Sequence, residues 1–513
     1  MASAIDLVRA SNGQMPASTE GSAEQTFLDE CADMGAERLE RFELYREFYE
    51  GDHRVELTDR AREYLERKGV RFSENFCEPI VDMIAERLTV TGYDVMIGEE
   101  EEGDATEAIA TWLKREFWRA NRLDETAGVV HSIALSRGES FGIIGYDNAK
   151  GRPTFAFNAP ERMKACYCDD DPERMEYAVK TWDTDEAGPS SPDGRRITRM
   201  NLYYPDRIER YFKLHASQGR GGWSRWMDAP DPDSAEPAPW PTPWVDAAGE
   251  PLGIPVVHFR NRAQGRPHGR SELVGVVPQN MLLNKQVLDL AMVIDNQGWP
   301  QRWVSGVDPT TAGFKTAPGE MWVTSSKDAR FGQFDSADIA PMLAGIDSTL
   351  GRMARRSGMP LHMLMGGDVP SGEAMKTAEA RLVKRCEDRA VSFGNRWEDA
   401  GLMAIRLAAL ADDLPVPVDV EQVALDALWD SPESRDDKAE AETAAIWSAL
   451  GASKRTLLAR AGFDPDQEEA RRAEESASAA QQAARFFDGG GDTTEPAPPA
   501  GQGGGPPENM PPA

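Results

Sequence analysis

The sequence predicts a mainly helical α+β fold. Apolar residues recur at helical spacing before residue 140, short alternating runs between 140 and 260 indicate strands, and three long helical patterns follow residue 271. With 513 residues, the chain has room for roughly two to four domains.

The opening section is predicted to be helical after a disordered N-terminus. Residues 1–24 are small and polar, so we expect them to be disordered. Apolar residues from Gln25 to Glu50 then keep a helical spacing, and Gly51 ends the run. Further helices are predicted at about 58–68, 75–88, 105–119 and 123–137.

The periodicity changes to that of strands near Ser140. FGIIGYDNAKGRPTFAF, residues 141–157, indicates two strands around a turn, and similar runs continue to residue 226. Residues 228–244 hold six prolines among acidic and small residues, which predicts an extended loop. GIPVVHF, residues 253–259, returns to a strand pattern.

Three long helices with an insert between the first two are predicted next. The helices span 271–297, 337–358 and 373–412, and the last carries an apolar stripe in steps of three and four residues. The insert, residues 298–336, is predicted to be β-structured, with QRWVSG and EMWVTSS as its strands. Shorter helices near 436–450 and 453–475 precede a Gly/Pro-rich tail, 485–513, that we expect to be disordered.

The chain is strongly acidic. Its 57 Lys and Arg against 87 Asp and Glu give a formal net charge of -30. Proteins that bind nucleic acid tightly neutralise its phosphates with clustered Lys and Arg, whereas this chain has more acidic than basic residues. The alternative is that the acidic surface only keeps the protein soluble.

Secretion and membrane insertion are not indicated. The N-terminus has no basic and apolar leader, and no run approaches the roughly 18 apolar residues that a spanning helix needs. Five scattered cysteines do not suggest a disulfide framework and favour a reducing compartment.

No motif for catalysis withstands inspection. MGGDVPSG, residues 365–372, precedes a long helix as phosphate-binding loops do, but it lacks a lysine and its Asp368 would repel phosphate. CYCDDDPE, residues 166–173, has no second Cys/His pair nearby, which favours a strand and an acidic turn over a zinc site. Carboxylate pairs are so frequent that they neither support nor exclude a glycosidase-type site. We therefore predict no enzymatic activity, no catalytic residues, no cofactor and no metal.

Five segments carry a resemblance to a known family. Together they resemble, in the family's order, the portal proteins of long-tailed double-stranded DNA phages of the siphovirus type, particularly those that infect actinobacteria. The resemblance covers about residues 25–475. The segments are YREFYEGDHR (45–54), NFCEPIVDMIAERLTVTGYDV (75–95), IPVVHFRNRAQGRPHGRSEL (254–273), GQFDSADIAPML (332–343) and SGMPLHMLMGGDVPSGEAMKTAEARL (357–382).

The resemblance implies a portal fold with wing, stem, clip, tunnel loop and crown. The implied parts are the wing (25–270), two stem helices (271–297 and 337–358), the clip (298–336), the tunnel loop (359–372), a long wing helix (373–412) and crown helices (413–484). It also implies particular site residues. Tunnel-loop residues facing DNA would be Leu361, His362, Met363, Leu364, Met365, Gly366, Gly367, Asp368, Val369, Pro370, Ser371 and Gly372, and the clip interface would include Trp299, Arg302, Trp303 and Trp322.

The resemblance implies a function and partners as well. Portal proteins form a homo-oligomeric ring of about twelve subunits at one capsid vertex. Double-stranded DNA passes through the ring, without sequence-specific binding, during packaging and ejection. The implied partners are the terminase large subunit, the major capsid and scaffolding proteins and a head-tail adaptor, with assembly in the host cytoplasm and no membrane.

Two alternatives remain open at this point. Another ring-forming connector or adaptor protein of a virion would also be acidic and helical, but it should lack a strand insert between paired long helices. A cytosolic hydrolase with an acidic site is the second alternative, and turnover of ATP or nicking of DNA by the purified protein would support it.

Overall fold

The chain divides into two units, residues 1–433 and 434–513. The computed structural model describes residues 20–55, 59–68, 73–98, 103–184, 197–214, 222–226, 239–297, 302–307, 322–324, 326–334, 338–366, 372–433 and 445–449, with single residues at 451, 454, 468, 471 and 472. Among these residues, no helix combines the length and the apolar composition needed to cross a membrane.

The first unit mixes helices and strands, so the predicted α+β class is confirmed. Its helices are α1 (Glu20–Ala32), α2 (Ala36–Glu50), α3 (Asp59–Lys68), α4 (Cys77–Ala85), α5 (Asp104–Trp112), α6 (Leu123–Arg137), α7 (Val277–Gln297), α8 (Ala340–Ser357), α9 (Leu361–Met365) and α10 (Gly372–Leu410). A π-helical segment, Leu113–Arg119, follows α5, and 3₁₀ turns occur at Glu272–Gly275 and Val420–Gln422.

Thirteen strands accompany the helices in the described residues. They are β1 (Val90–Ile97), β2 (Glu139–Asp147), β3 (Arg152–Asn158), β4 (Met163–Cys168), β5 (Asp171–Thr184), β6 (Ile197–Tyr203), β7 (Arg207–Leu214), β8 (Ser224–Arg225), β9 (Thr242–Pro243), β10 (Val256–Arg260), β11 (Arg302–Ser305), β12 (Arg330–Gln333) and β13 (Val423–Trp429). A six-stranded sheet holds β4 to β8 in chain order with β9 beside β7, and a three-stranded sheet has the order β10-β2-β3.

The long helix α10 lies at the centre of the largest core. Most of its stripe residues are buried, because steps of three and four residues return to one face of a helix, whereas Ala378 near its start is exposed. The buried residues pack against β2, β3, β10 and β13. The buried stripe residues are Leu382, Cys386, Phe393, Trp397, Ala400 and Ala404.

A buried histidine fastens α10 to α6. His131 lies 3.1 Å from the Leu88 carbonyl through Nδ1 and accepts a hydrogen bond from Trp397 Nε1 through Nε2 at 2.9 Å. This pairing fits the neutral ring, with the proton on Nδ1. Burial lowers the pKa of His131 to about 3, so the ring is neutral at pH 7.

The chain after α10 differs from the expected crown helices. Residues Val423–Trp429 form β13, which pairs antiparallel with β1 and places Leu425 opposite Val95. Both residues are buried in the main core, and residues 413–433 belong to the first unit. The expectation of helices is wrong for 423–429, which are a strand. Residues 445–449 are helical, and most of the remainder of the predicted crown lies outside the described residues.

The predicted disordered ends are largely outside the description. Helix α1 begins at Glu20, inside the segment 1–24, because its apolar residues Leu28 and Cys31 bury against the six-stranded sheet. Residues 1–19 and 485–513 lie outside the described residues.

Candidate functional site

The two predicted stem helices pack against each other, and two paired strands lie between them in the sequence. Helices α7 and α8 contact each other, and the buried Thr349 hydroxyl of α8 lies 2.8 Å from Gln286 Oε1 of α7. Arg352 Nη2 donates to the same hydroxyl at 2.7 Å. The prediction that residues 271–297 and 337–358 are helical is confirmed with later starts. Helix α7 begins after a 3₁₀ turn, and α8 begins at Ala340.

Two buried asparagines fix α7 to the segment before α4. Asn284 Oδ1 accepts from the Glu74 backbone N–H at 2.7 Å, and Asn280 Oδ1 accepts from that of Phe76 at 3.1 Å. Both side-chain amides also donate to the Glu74 carbonyl, at 2.9 and 3.0 Å. Because the amides satisfy a chain segment that has no helix or sheet partner there, they hold α7 in one position relative to the core.

The insert between α7 and α8 contains a two-stranded sheet. Strands β11 and β12 pair antiparallel, with Trp303 opposite Gly332. A Cβ atom at Gly332 would lie 2.4 Å from the Trp303 ring, so the glycine allows the indole to lie over β12. The predicted first strand is confirmed, and its partner is Arg330–Gln333. Of the predicted second strand, 320–326, residues 322–324 have no regular structure, and residues 320, 321 and 325 lie outside the described residues.

The insert exposes aromatic side chains. Trp303 is 40% exposed, and Phe331 and Phe334 are 46% and 60% exposed. Arg302 is exposed and Trp322 is half-buried, and each has further interactions within the chain. Trp299 lies outside the described residues.

The predicted tunnel loop is partly a short helix. Leu361–Met365 form α9, in which Leu364 is buried and Met363 packs against the main core. Leu361 and Met365 are exposed, and His362 is half-buried. The expectation that residues 361–365 form an open loop is therefore wrong, because Pro360 starts a helical turn whose apolar side is buried.

The remaining part of that predicted loop is short. Gly366 closes α9 with φ at 67°, and Gly372 is the first residue of α10. Residues 367–371, including Asp368, Val369, Pro370 and Ser371, lie outside the described residues.

A buried carboxylate with three arginines ties α10 to the start of α7. The Glu272 side chain is fully buried and accepts from Arg389 Nε at 3.1 Å and Nη2 at 2.6 Å. Arg385 bonds to its other oxygen, and Arg262 Nη1 lies 3.5 Å from it. Burial alone would raise the pKa of Glu272, but the guanidinium groups of Arg385 and Arg389 outweigh burial and hold the pKa below its ordinary value.

The end of α8 meets the same part of α10. Arg381 Nη1 donates to the Arg355 carbonyl at 3.1 Å, where the helix has an unpaired acceptor. Gly358 caps α8 with φ at 73°, and a Cβ atom there would lie 3.0 Å from Arg385 Nη1. Helix α10 therefore contacts both the 3₁₀ turn before α7 and the end of α8.

Sequence reasoning missed the residues that form this joint. Arg385 and Arg389 flank the apolar stripe residues Cys386 and Ala390, and an arginine beside a buried stripe is a signal for a buried partner. The partner, Glu272, stands more than a hundred residues earlier, so no local pattern identifies it.

Comparisons with known proteins match most of the chain to one family. The sequence model of the family described as "Phage portal protein, SPP1 Gp6-like" matches residues 28–483. The portal protein of Mycobacterium phage L5 is 26% identical over 392 residues, which cover 71% of this chain and 70% of the relative. The portal protein of Mycobacterium phage D29 is also 26% identical, over 389 residues and the same shares.

Proposed function

The chain belongs to the SPP1 Gp6-like family of phage portal proteins, and from this premise we propose how its elements build a portal. Its function is that of the family: a portal at one vertex of the capsid, through which double-stranded DNA is packaged and later ejected. The protein is accordingly a structural component of the virion.

We propose that α7 and α8 are the stem, the insert 298–336 is the clip, and α10 is the long helix that crosses the wing. The observation that carries this proposal is the connectivity: two packed helices joined by a β-hairpin, then a junction into a 39-residue helix. The wing comprises residues 25–270 together with β13. The crown is then confined to residues 434–484, since Val423–Trp429 pair with β1 and 413–433 belong to the first unit.

The proposed assembly is a ring of about twelve copies, closed by head-to-tail contacts. Large apolar side chains that a single copy leaves exposed on the stem helices support it, because a neighbouring subunit would remove them from water. These residues are Met281, Leu282 and Ile294 on α7 and Leu343 on α8.

The acidic composition suits a channel through which DNA must slide. Tight phosphate contacts would create an energetic barrier at each step, whereas a net charge of -30 per subunit repels the duplex from the wall. We infer that the junction residues 366–371 form the loop nearest to DNA, since Met363 and Leu364 pack into the core.

The proposed partners follow from this arrangement. The terminase large subunit and later the head-tail adaptor would dock on the clip, and the major capsid and scaffolding proteins would contact the wing. Assembly would take place in the host cytoplasm, before DNA enters the capsid.

Purified protein is expected to form rings with a central hole in negative-stain images. The measurement is paired with sedimentation velocity at micromolar concentration, with and without scaffolding protein. A species that stays monomeric under both conditions would contradict the proposed assembly.

Replacing Trp303 with alanine is expected to weaken terminase binding to purified rings at least about tenfold, because exposed tryptophans are frequent hot spots of interfaces. Phe331→Ala is the matched control, since Phe331 lies on the opposite face of the ribbon at similar exposure. Binding and packaging that stay at the wild-type level in Trp303→Ala would exclude this residue from the interface. An equal loss in both variants would indicate hairpin stability instead of contact.

A further inference from the structure

The loop between β10 and the 3₁₀ turn before α7 is basic, although the chain is acidic. We call residues 261–270, NRAQGRPHGR, the arginine loop. They include three arginines, one histidine and no acidic residue, whereas the whole chain has a net charge of -30. The loop and both of its flanks lie within the described stretch 239–297, and the segments beside it, 103–184 and 372–433, are described as well.

The backbone of the arginine loop is closed at its two ends. The Arg270 backbone N–H donates to the Asn261 carbonyl, and the buried side-chain amide of Asn261 donates to the Arg270 carbonyl at 2.7 Å. Inside the loop, Arg262 and Gln264 have φ at 53° and 50°, in the left-handed region that residues other than glycine rarely adopt. Contacts with the rest of the chain, rather than local preference, therefore fix this backbone conformation.

Two arginines of the loop are exposed and unpaired. Arg266 and Arg270 are exposed, and neither guanidinium group makes an ion pair or a hydrogen bond with the residues that the structure describes. Arg262, by contrast, lies 3.5 Å from the Glu272 carboxylate. Arg260 at the end of β10 donates to the Arg266 carbonyl at 3.1 Å, which holds the backbone under one of the two unpaired side chains. Both cations are thus available to an anion on another molecule, and little backbone entropy would be lost when it binds.

A groove of about 360 Å³ lies between the arginine loop and α10. Val391 of α10 lines the groove and is 68% exposed. The two carboxylates that line it are paired within the chain, Glu173 with Arg260 and Asp388 with Lys384 at 3.4 Å. The groove therefore places an exposed apolar side chain next to the loop that carries the unpaired cations.

This combination favours an acidic protein surface over a nucleic acid. A duplex offers phosphates to the arginines, but its charged backbone gives Val391 little apolar surface to pack against. Phosphate contacts repeated around a ring would also retain DNA that has to slide through it. A protein surface supplies both carboxylates, which pair with arginine in a bidentate geometry, and apolar atoms that cover the valine.

We propose that the arginine loop is a subunit contact, in which Arg266 and Arg270 of one copy bind exposed carboxylates of the next and Val391 packs at the same interface. This rests on the proposed function, because it requires a ring in which each copy places one surface against a different surface of its neighbour. A second copy fits as the partner, since each copy has a large excess of carboxylates over cations. The contact would offset, locally, the repulsion between copies that each carry a net charge of -30.

Reversing the two unpaired charges tests this contact. Arg266→Glu with Arg270→Glu is expected to raise the protein concentration at half-assembly at least about tenfold in sedimentation velocity, because like charges would then face each other across the interface. Val391→Ser should raise it by a smaller factor. The difference between the reversed variant and wild type should shrink at high salt, because screening weakens the attraction. Lys114→Glu with Arg115→Glu is the matched control, since both residues are exposed and the charge change is equal.

Cross-linking identifies the partner of the loop directly. Arg266→Lys keeps the charge and introduces an amine, which a carbodiimide joins to a carboxylate in direct contact with it. Assembled rings of this variant are expected to give a covalent dimer on a denaturing gel. Mass spectrometry should find the loop peptide joined to an acidic peptide of a neighbouring copy. The same variant, diluted until it is monomeric, should give no such dimer.

Thermal unfolding of each variant checks that it folds, and Arg266→Gln with Arg270→Gln provides a milder change if the reversed variant does not. Assembly of the folded variant at the wild-type concentration would overturn the proposal, and so would rings of Arg266→Lys without a cross-link between subunits from the loop. Normal assembly combined with weaker binding to a DNA duplex would assign the loop to phosphates and would also overturn it. Absence of rings from the wild-type protein would instead contradict the proposed function.

Discussion

Glu272→Gln is expected to destabilise the first unit by about 3–5 kcal/mol, the usual cost of breaking a buried ion pair by removing one partner. The amide keeps the shape of the side chain but leaves Arg385 and Arg389 without their carboxylate. Arg389 is buried and Arg385 is mostly buried, so water cannot replace the lost charge. The measurement is the free energy of unfolding in urea, with thermal midpoints as a second readout.

Glu421→Gln is the matched control for this prediction. Glu421 pairs with Arg406 at 3.3 Å, but its side chain is 81% exposed, so its loss should cost at most about 1 kcal/mol. If Glu272→Gln lowers the free energy of unfolding by no more than this control does, other groups balance the charges of Arg385 and Arg389. The pH dependence is a further check, because the lowered pKa of Glu272 stabilises the fold above the ordinary carboxyl range and this contribution is lost as the pH falls. The difference between wild type and variant should therefore shrink in acid.

The Glu272 joint has a consequence for the portal. It fixes the start of α7 and the first half of α10, and Arg381 fixes the end of α8 to the same helix. The last residues of α8 and the residues before α7 are therefore held to one helix. In the proposed portal, these contacts would connect the stem to the wing.

Much of the fold could be predicted from local patterns. The stripe of α10 predicted residues 373–412, and the helix spans Gly372–Leu410, because 3.6-residue periodicity over ten turns leaves little ambiguity. The resemblance to portal proteins, carried by five segments, is confirmed by the family match over residues 28–483.

The failures share a physical cause, which is pairing over long distances in the sequence. Strand β13 pairs with β1, which lies more than three hundred residues earlier in the sequence. No local pattern in residues 423–429 indicates that partner. In the insert, residues 320–326, which include Trp322 and Val323, have a higher strand propensity than residues 330–333. Residues 330–333 nonetheless pair with β11. Gly332 lies opposite Trp303, and its lack of a side chain leaves room for the indole ring.

The candidate site shows the same limit. The glycines and prolines around HMLM predicted a loop. Leu364 is buried, however, and the free energy gained by burying its side chain favours a helical turn over the loop. The sequence prediction therefore placed residues 361–365 in a loop, whereas they form α9. The part that stays a prediction is the short stretch around Asp368.

Asp368→Lys is expected to give normal rings that package DNA at least about tenfold more slowly or fail to retain it. The substitution changes the charge by two at one level of the pore, repeated around about twelve subunits, and so adds phosphate contacts where the proposed channel has repulsion. Packaging is measured in vitro with purified proheads and terminase, as DNA protected from nuclease over time. Raising the salt concentration should restore part of the rate, because screening weakens phosphate attraction.

The control for this last variant is Glu107→Lys, an equal charge change on the exposed side of α5 in the proposed wing. It should package at the wild-type rate, since the net charge of the ring alone does not set the friction on DNA. A defect in Asp368→Lys that does not respond to salt would indicate altered loop structure in place of phosphate attraction. If Asp368→Lys packages normally while Glu107→Lys does not, the loop around Asp368 is not the part of the channel that meets DNA, and the acidic outer surface of the wing acts on packaging by another route.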